Sequence, residues 1–285
     1  MSGPKPLTLE QKEAPEITTF TTSSNIKIHA LLTGWVDSTW HDWIPNFCFL
    51  IQHEGKNILV DTGVYQDISK TGYFKQDKNS EWFYNRNFRF ITPPQSRIVE
   101  LLKKVGVEKH QVDELYITHF HCDHVGYIGE FENAKVFTGK GNWPSHTGSS
   151  SAALPDGFEP ILIDFDKSKV GEFSESINLT NDGKVKAIAL YGHTPGHIGV
   201  MVEDDGHYWL VAGDATFTMY QSKTCEVCAP TSNWEQAKET QATIFRQLCS
   251  YPTALLPAHD FEVITRLSKM PTVLTKVEMD AIIET

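Results

Sequence analysis

The stretch from His119 to His124, which reads HFHCDH, constrains this chain more than any other part of its sequence. Three histidines and one carboxylate fall within six residues, directly after an apolar run, Asp113 to Thr118, that predicts a short buried strand. If the extended geometry continues, His119 and His121 point to one side, and Asp123 and His124 lie past the bend. Imidazole and carboxylate are ligands for Zn²⁺, and also for iron or manganese. The stretch therefore predicts a metal site at the end of a strand.

Other polar motifs also follow predicted strands. They are GHTPGH (192–197), GDA (213–215) and His259, which come after the predicted strands Val185–Tyr191, Tyr208–Ala212 and Ala254–Leu256. Because loops at strand ends are where a rigid scaffold presents functional groups, we expect these motifs to converge with HFHCDH at one sheet edge. Asp61 and His197 are expected to orient the metal ligands through hydrogen bonds.

Composition and charge exclude several classes of function. The chain has 285 residues, 40% of them hydrophobic and 21% charged, which is an ordinary globular composition. Its net charge of −11 and the lack of a basic stripe argue against a nucleic-acid partner. The apolar runs are too short to cross a membrane, which takes about 20 residues, and the first residues lack the apolar core of a signal peptide. We expect a cytoplasmic protein without a membrane partner.

The pattern along the chain predicts a mixed α/β protein with layered sheets. Residues 1–16, which are polar and contain prolines, predict a loose arm, and residues 17–285 a single domain. A hairpin is predicted over Asn46–Val60 with Gly55 in the turn. One helix is predicted within residues 95–107, with its C-cap at Gly106, and another over Asn233–Cys249. The CxxC spacing of Cys225 and Cys228 lacks the second pair of a structural zinc site, and we interpret it as two loop thiols.

The motif set HFHCDH, GHTPGH and GDA, with the late His259 and an upstream VDTG at residues 60–63, closely resembles the metallo-β-lactamase superfamily. The resemblance covers roughly Ile26 to Asp260 and implies a four-layer αββα sandwich with metals at one edge of the paired sheets. By this resemblance, His119, His121 and His193 would hold one metal, Asp123, His124 and His259 would hold the other, and Asp214 would bridge them. All seven positions match, which favours two Zn²⁺ ions, with Fe or Mn as alternatives.

Two metals about 3.5–4 Å apart imply a hydrolytic mechanism. A hydroxide that bridges the metals would attack a substrate carbonyl polarised by one of them, and the oxyanion would be stabilised electrostatically. Asp123 is expected to relay a proton to the leaving group, which matters more for an amide nitrogen than for an alkoxide. We therefore expect a metal-dependent hydrolase that opens a small five-membered cyclic amide, carbamate or ester.

Within the superfamily, the spacing resembles the N-acyl homoserine lactonase branch, with one departure. That branch usually carries a tyrosine three residues after the bridging aspartate, where this chain has Phe217; Tyr220 is one alternative source of the hydroxyl. Two aromatic-rich loops are typical either of a flat apolar pocket or of core or dimer contacts. Predicted pocket residues are Trp40, His41, Trp82, Phe217 and Tyr220. Such a pocket would suit benzoxazolinone, the substrate of certain fungal γ-lactamases of this superfamily.

Other readings of the same ligand set stay open at this point. A glyoxalase-II-like thioesterase would call for basic residues that recognise glutathione, and no such cluster stands out. A persulfide dioxygenase would carry a single iron on the same fold. An inactive metal-binding scaffold is disfavoured by the complete ligand set. Family resemblance is also compatible with a homodimer.

Overall fold

The computed structural model describes residues 6–38, 42–66, 68, 73–74, 78–145 and 148–282. Its strands are β1 (Ile17–Thr21), β2 (Lys27–Ser38), β3 (Ile44–His53), β4 (Lys56–Val60), β5 (Phe88–Ile91), β6 (Glu114–Tyr116), β7 (Lys135–Gly139), β8 (Ile161–Ile163), β9 (Ser176–Asn178), β10 (Val185–Ala189), β11 (Ile198–Asp204), β12 (His207–Gly213) and β13 (Thr253–Pro257). Its helices are α1 (Leu9–Glu13), α2 (Lys78–Asn87), α3 (Ile98–Lys104), α4 (Met219–Thr224), α5 (Trp234–Ser250), α6 (Val263–Leu267) and α7 (Lys276–Ala281).

The strands form two sheets. The larger sheet has the order β1-β2-β3-β4-β6-β7-β8, with β5 paired to β2, and the smaller has the order β13-β12-β11-β10-β9. Strand β6 runs parallel to both β4 and β7, and β13 runs parallel to β12. Parallel neighbours end at the same edge of a sheet, so the segments that follow β4 and β6 begin side by side, as do those that follow β12 and β13.

Helices cover the outer face of each sheet. The inner faces share one core, in which Phe49 of the larger sheet packs with Val200 of the smaller. Leu101 of α3 belongs to the core on the outer side of the larger sheet, and Ile244 of α5 packs with Leu210 on the outer side of the smaller. The expected four-layer αββα sandwich is confirmed.

Local sequence signals place several elements correctly. The predicted hairpin is β3–β4, and its turn residues Glu54 and Gly55 have φ values of 51° and 76°, as a type I′ turn requires. The side chain of Asn233 caps α5 by accepting a hydrogen bond from the backbone of Gln236. Gly106, with φ at 81°, follows the end of α3.

Residues 6–16 differ from the loose arm expected of them, while residues 1–5 lie outside the described ranges. Thr8 and Gln11 form a capping box that begins α1, and Gln11 Nε2 donates to the carbonyl of Trp43 at 2.8 Å. Leu7 and Ala14 pack against the core between the sheets. The capping box and these two apolar side chains hold the segment against the core, although its overall composition is polar.

The longest helix among the described residues, α5, has 17 residues. No helix in those ranges combines the length and the apolar character needed to cross a bilayer.

Candidate metal centre

The polar motifs that follow β6, β10, β12 and β13 meet at one edge of the sandwich. His119 follows β6 of the larger sheet, whereas His193, Asp214 and His259 follow strands of the smaller sheet. All four side chains are buried, His119 completely. The site is therefore built from both sheets.

Four side chains form a first group: His119, His121, His193 and Asp214. Each offers one ligand atom, and these atoms lie within 4.8 Å of one another. Nδ1 of His121 lies 3.1 Å from Nε2 of His193. Oδ2 of Asp214 lies 3.7 Å from Nε2 of His119 and 3.6 Å from Nε2 of His193.

Asp123, His124 and His259 form a second group, whose ligand atoms also lie within 4.8 Å of one another. Oδ1 of Asp214 lies 3.3 Å from Nε2 of both His124 and His259. Asp214 thus presents one carboxylate oxygen to each group. The structure brings together all seven residues that the family resemblance assigned as ligands, with Asp214 between them.

The second group has the geometry of ligands around a cation. Nε2 of His124 and Oδ1 of Asp214 are buried and 3.3 Å apart, yet among the described residues neither finds a hydrogen-bond partner of acceptable geometry. Buried polar atoms are seldom left without a hydrogen-bond partner. Imidazole nitrogens and carboxylate oxygens that face a common point are the donor set of Zn²⁺, and the residues therefore fit a pair of metal ions.

Hydrogen bonds outside the two groups set the orientation of the rings. Nδ1 of His124 donates to Oδ2 of Asp61 at 2.8 Å, and Nδ1 of His259 donates to the carbonyl of Pro45 at 2.8 Å. Each bond leaves Nε2 directed at the site. Nε2 of His197 accepts a hydrogen bond from the backbone N–H of Asp214 at 3.2 Å, so the His197 ring contacts the main chain of Asp214.

Burial controls the charge of the first group. It lowers the pKa of His119 and His193 well below the usual histidine value, and neighbouring histidines lower it further. Both rings are therefore neutral at pH 7, the form that binds a metal.

Carboxylates control the charge of the second group. Burial alone would lower the pKa of His259, but Asp214 and Asp123 outweigh it and raise that pKa to about 10. The pKa of His124 is raised well above its usual value in the same way, by Asp214 and Asp61 against the effect of burial. Protons on two histidines thus compensate the buried carboxylates, and a divalent cation would take over that compensation and release the protons.

A small cavity of about 30 Å³ opens onto both groups. The described residues that line it besides the ligand side chains are Val36, Ile44, Tyr84, Phe88, Phe217, Ala229 and Pro230. The Phe217 ring lies 5.0 Å from the His259 ring and 6.4 Å from the His193 ring. This described lining contains neither lysine nor arginine.

The structure describes only some of the predicted pocket residues. Trp40 and His41 lie outside the described residues. Trp82 is 64% exposed on α2, where the Arg86 guanidinium lies 5.6 Å from its ring, and it does not line the cavity. Two positions along an α-helix correspond to about 200° of rotation, so Tyr84 lies on the opposite face of α2 from Trp82 and lines the cavity instead.

Tyr220 does not take the place of the missing tyrosine. Its hydroxyl donates to Glu226 at 3.4 Å, and the residue lines a separate cavity of about 390 Å³ near the end of the described chain. The side chain from this region that lines the cavity beside the candidate ligand histidines is Phe217.

Besides Asp61 and His197, further residues contact the candidate ligands, and the sequence analysis missed them. The hydroxyl of Tyr84 donates to the carbonyl of Gly148 at 2.5 Å and accepts from the backbone of Cys122 at 3.3 Å. A Cβ on Gly148 would lie only 2.6 Å from Nε2 of His121. Asn46 and Asn142 also contact the ligand loops, and neither belongs to a motif.

Comparison with known proteins agrees with this geometry. Residues 41–240 match the sequence profile of the metallo-β-lactamase superfamily. The probable metallo-hydrolase YflN of Bacillus subtilis is 31% identical over 194 residues, 58% of this chain and 72% of YflN. The N-acyl homoserine lactonase AiiA of Bacillus thuringiensis subsp. kurstaki is 26% identical over 183 residues, 61% of this chain and 65% of AiiA, just under two thirds of its length.

A solved structure shows the same fold. An AiiA variant from B. thuringiensis with N-decanoyl-L-homoserine bound at its active site superposes with a TM-score of 0.66 at 18% identity, over 87% of this chain and 95% of that one. The profile match spans well over half of the chain, and the metal-ligand motifs are complete. The chain therefore belongs to the metallo-β-lactamase superfamily and is a metal-dependent hydrolase.

Proposed function

We propose that the protein holds two metal ions, Zn²⁺ in the first instance with Fe or Mn as alternatives, and opens a small five-membered cyclic carbamate, amide or ester. The observation that carries this proposal is the position of Asp214, whose two carboxylate oxygens face the two groups of ligands. A single metal would leave one group of buried imidazoles and carboxylates without its cation, which disfavours a mononuclear iron dioxygenase.

When bound, a pair of divalent ions supplies an activated water at neutral pH and a Lewis acid for the carbonyl. The protein's own residues supply the rest. Oδ2 of Asp123 lies 3.4 Å from Nε2 of His259, and burial would raise the pKa of Asp123, but His124 and His259 outweigh that effect and lower it. An ionised Asp123 can accept the proton of the attacking water and return it to the leaving nitrogen or oxygen.

The residues that line the cavity favour a small, uncharged substrate with apolar surface. Tyr84, Phe88 and Phe217 line it with aromatic surface, and Phe217 offers no hydroxyl to a substrate carbonyl. The absence of a cation from the described lining speaks against a glutathione thioester, whose carboxylates call for one. Benzoxazolinone, a flat bicyclic carbamate, carries no charge and has an aromatic surface that suits this lining.

The matched test compares benzoxazolinone with an N-acyl homoserine lactone at equal metal content. We expect the zinc-loaded protein to open the carbamate with the larger kcat/KM. Rapid opening of the lactone with an intact carbamate would refute the carbamate assignment and support N-acyl homoserine lactone hydrolysis, the second candidate, which is favoured by the similarity to AiiA.

The bridging role of Asp214 has its own test. Asp214→Ala should lower both the zinc content per chain and the rate of ring opening, because each group loses one oxygen ligand. Full activity with two zinc ions in this variant would refute the shared-carboxylate arrangement.

A further inference from the structure

We propose that two buried asparagines that are not ligands each position one group of the metal centre, Asn142 the first group and Asn46 the second. The inference rests on the proposed metal centre and extends it. Both side chains are completely buried, and both contact backbone atoms beside ligand residues. Each is a positioning residue, since neither belongs to the ligand groups.

Asn142 joins the two segments that carry the histidines of the first group. Its Nδ2 donates to the carbonyl of Thr118 at 2.9 Å and to that of Gly196 at 2.8 Å, and its Oδ1 accepts from Oγ1 of Thr194 at 2.6 Å. Thr118 directly precedes His119, and Thr194 directly follows His193. One amide therefore spans the gap between the larger and the smaller sheet at this group.

Backbone packing gives this amide little freedom. A Cβ on Gly196 would lie 2.3 Å from the backbone nitrogen of Asn142, and one on Gly139 would lie 2.1 Å from the carbonyl oxygen of Gly196. The GHTPGH loop thus rests directly on the turn that contains Asn142. Because the contact is backbone to backbone, the side-chain hydrogen bonds of Asn142 act at fixed distances.

Asn46 performs the corresponding task for the second group. Its Nδ2 donates to the carbonyl of Asp123 at 2.8 Å. The preceding residue, Pro45, accepts the hydrogen bond of His259 at 2.8 Å, and the following residue, Phe47, donates its N–H to the carbonyl of Ala258 at 2.8 Å. Three consecutive residues of β3 therefore hold Asp123 and His259 together.

The side chains of the two asparagines bond different residues. The hydrogen bonds of the Asn142 side chain reach residues beside His119 and His193, and the hydrogen bond of Asn46 reaches Asp123. Energetic effects of residues without shared partners are close to additive. Loss of one asparagine should therefore weaken metal binding at one group and leave the other occupied.

Zinc titrations of Asn142→Ala and Asn46→Ala against a competing chelator test this inference. Metal content gives the number of ions retained, and long-range ¹H–¹⁵N spectra of the histidine rings identify the group that retains them. We expect Asn142→Ala to lose about 10–100-fold in affinity at His193 while His259 stays zinc-bound, and Asn46→Ala to do the reverse. Asn181→Ala, an exposed asparagine that bonds Glu54, is the control and should keep both ions.

Milder variants keep the test valid if an alanine variant fails to fold. Thr194→Val removes only the bond to Oδ1 of Asn142, and Asn46→Ser shortens the donor to Asp123; the same split between His193 and His259 is expected on a smaller scale. Equal loss at both groups, or no loss at either, would overturn the inference while leaving the metal centre intact. A wild-type chain that binds no zinc would overturn the metal centre itself, and the inference with it.

Discussion

At the residue scale, one carboxylate decides which nitrogen of His124 faces the centre. Asp61 accepts a hydrogen bond from Nδ1 of His124 and is itself held by the backbone N–H and the hydroxyl of Thr118, each at 2.8 Å. Asp61→Asn removes the negative charge and can turn the amide N–H of the new side chain toward Nδ1 of His124. We expect metal affinity to fall about 10–100-fold, measured by zinc competition.

Asp182→Asn provides the matched control for that prediction. Asp182 also pairs with a histidine, His53 at the end of β3, at 2.7 Å, but this pair lies near the surface. The control should retain wild-type zinc affinity. An equal loss in both variants would contradict a specific role for Asp61.

Gly148 provides space beside the ring of His121. In Gly148→Ala, the new Cβ would collide with Nε2 of His121 at 2.6 Å, and the positive φ of 79° would be strained as well. Gly157→Ala isolates the strain, because Gly157 has φ at 72° and no atom within 4 Å of the new Cβ. We expect both variants to lose about 1 kcal/mol of stability from strain, and only Gly148→Ala to lose zinc affinity. Unchanged zinc binding in Gly148→Ala would show that the loop can yield.

The candidate ligands and two residues expected to orient them, Asp61 and His197, could be named from the sequence, whereas Asn46 and Asn142 could not. Histidine and aspartate at strand ends carry a recognisable spacing, and metal chemistry limits the residue types that fit. Asn46 and Asn142 act through the carbonyls of Asp123, Thr118 and Gly196, and a carbonyl is present at every residue. Only the fold shows which carbonyls they reach.

At the element scale, Asp204 ties the end of β11 to the turn before β2. Its carboxylate accepts from Oγ of Ser23 at 2.7 Å, from the backbone N–H of Ser24 at 2.8 Å and from Nζ of Lys184 at 2.5 Å. Burial would raise the pKa of Asp204, but Lys184 and the serines outweigh it and hold that pKa far below its usual value.

Asp204→Asn should therefore lower the free energy of unfolding by about 2–4 kcal/mol at pH 7. Because the pKa of Asp204 is lower in the folded state than in the unfolded state, where it is about 4, the ionised carboxylate stabilises the fold above pH 4. This stabilisation is lost as the pH falls below the pKa of the unfolded state. The gap between wild type and variant should accordingly narrow in denaturant titrations below about pH 4. Asp205→Asn, at the exposed neighbouring position, is the control. A gap that stays constant with pH would rule out the carboxylate charge as its source.

Sequence patterns predicted the hairpin β3–β4 and the helix α5 but not every element. Strand β11 follows GHTPGH without a turn signal between them, so its start is hidden inside a functional motif. Helix α2 has a mostly polar sequence with one buried residue, Tyr84, and periodicity of apolar residues cannot reveal such a helix. In both cases tertiary contacts determine the structure more than local preference does.

At the scale of the whole molecule, the proposed metals would join the two sheets. His119 and His121 follow a strand of the larger sheet, and His193, Asp214 and His259 follow strands of the smaller. Chelation of the metals should therefore destabilise the entire chain. With free zinc about 1,000-fold above Kd, we expect removal to cost about 4 kcal/mol and to lower Tm on the order of 10 °C in a thermal scan.

The same scan of Asp214→Ala controls for effects of the chelator itself, since a variant that binds metal poorly has little to lose. A wild-type Tm that chelator leaves unchanged would contradict the role of the metals as a link between the sheets.

The position of β13 also sets when the site can exist during synthesis. Residues 119–124 leave the ribosome early. His259, which completes the second group, lies more than one hundred residues later, directly after β13, the strand that pairs with β12. All four residues of the first group precede β13 in the sequence, whereas the second group is incomplete without His259. On the proposed two-metal function, a chain that stalls before β13 would therefore carry the first group of ligands without a complete second group.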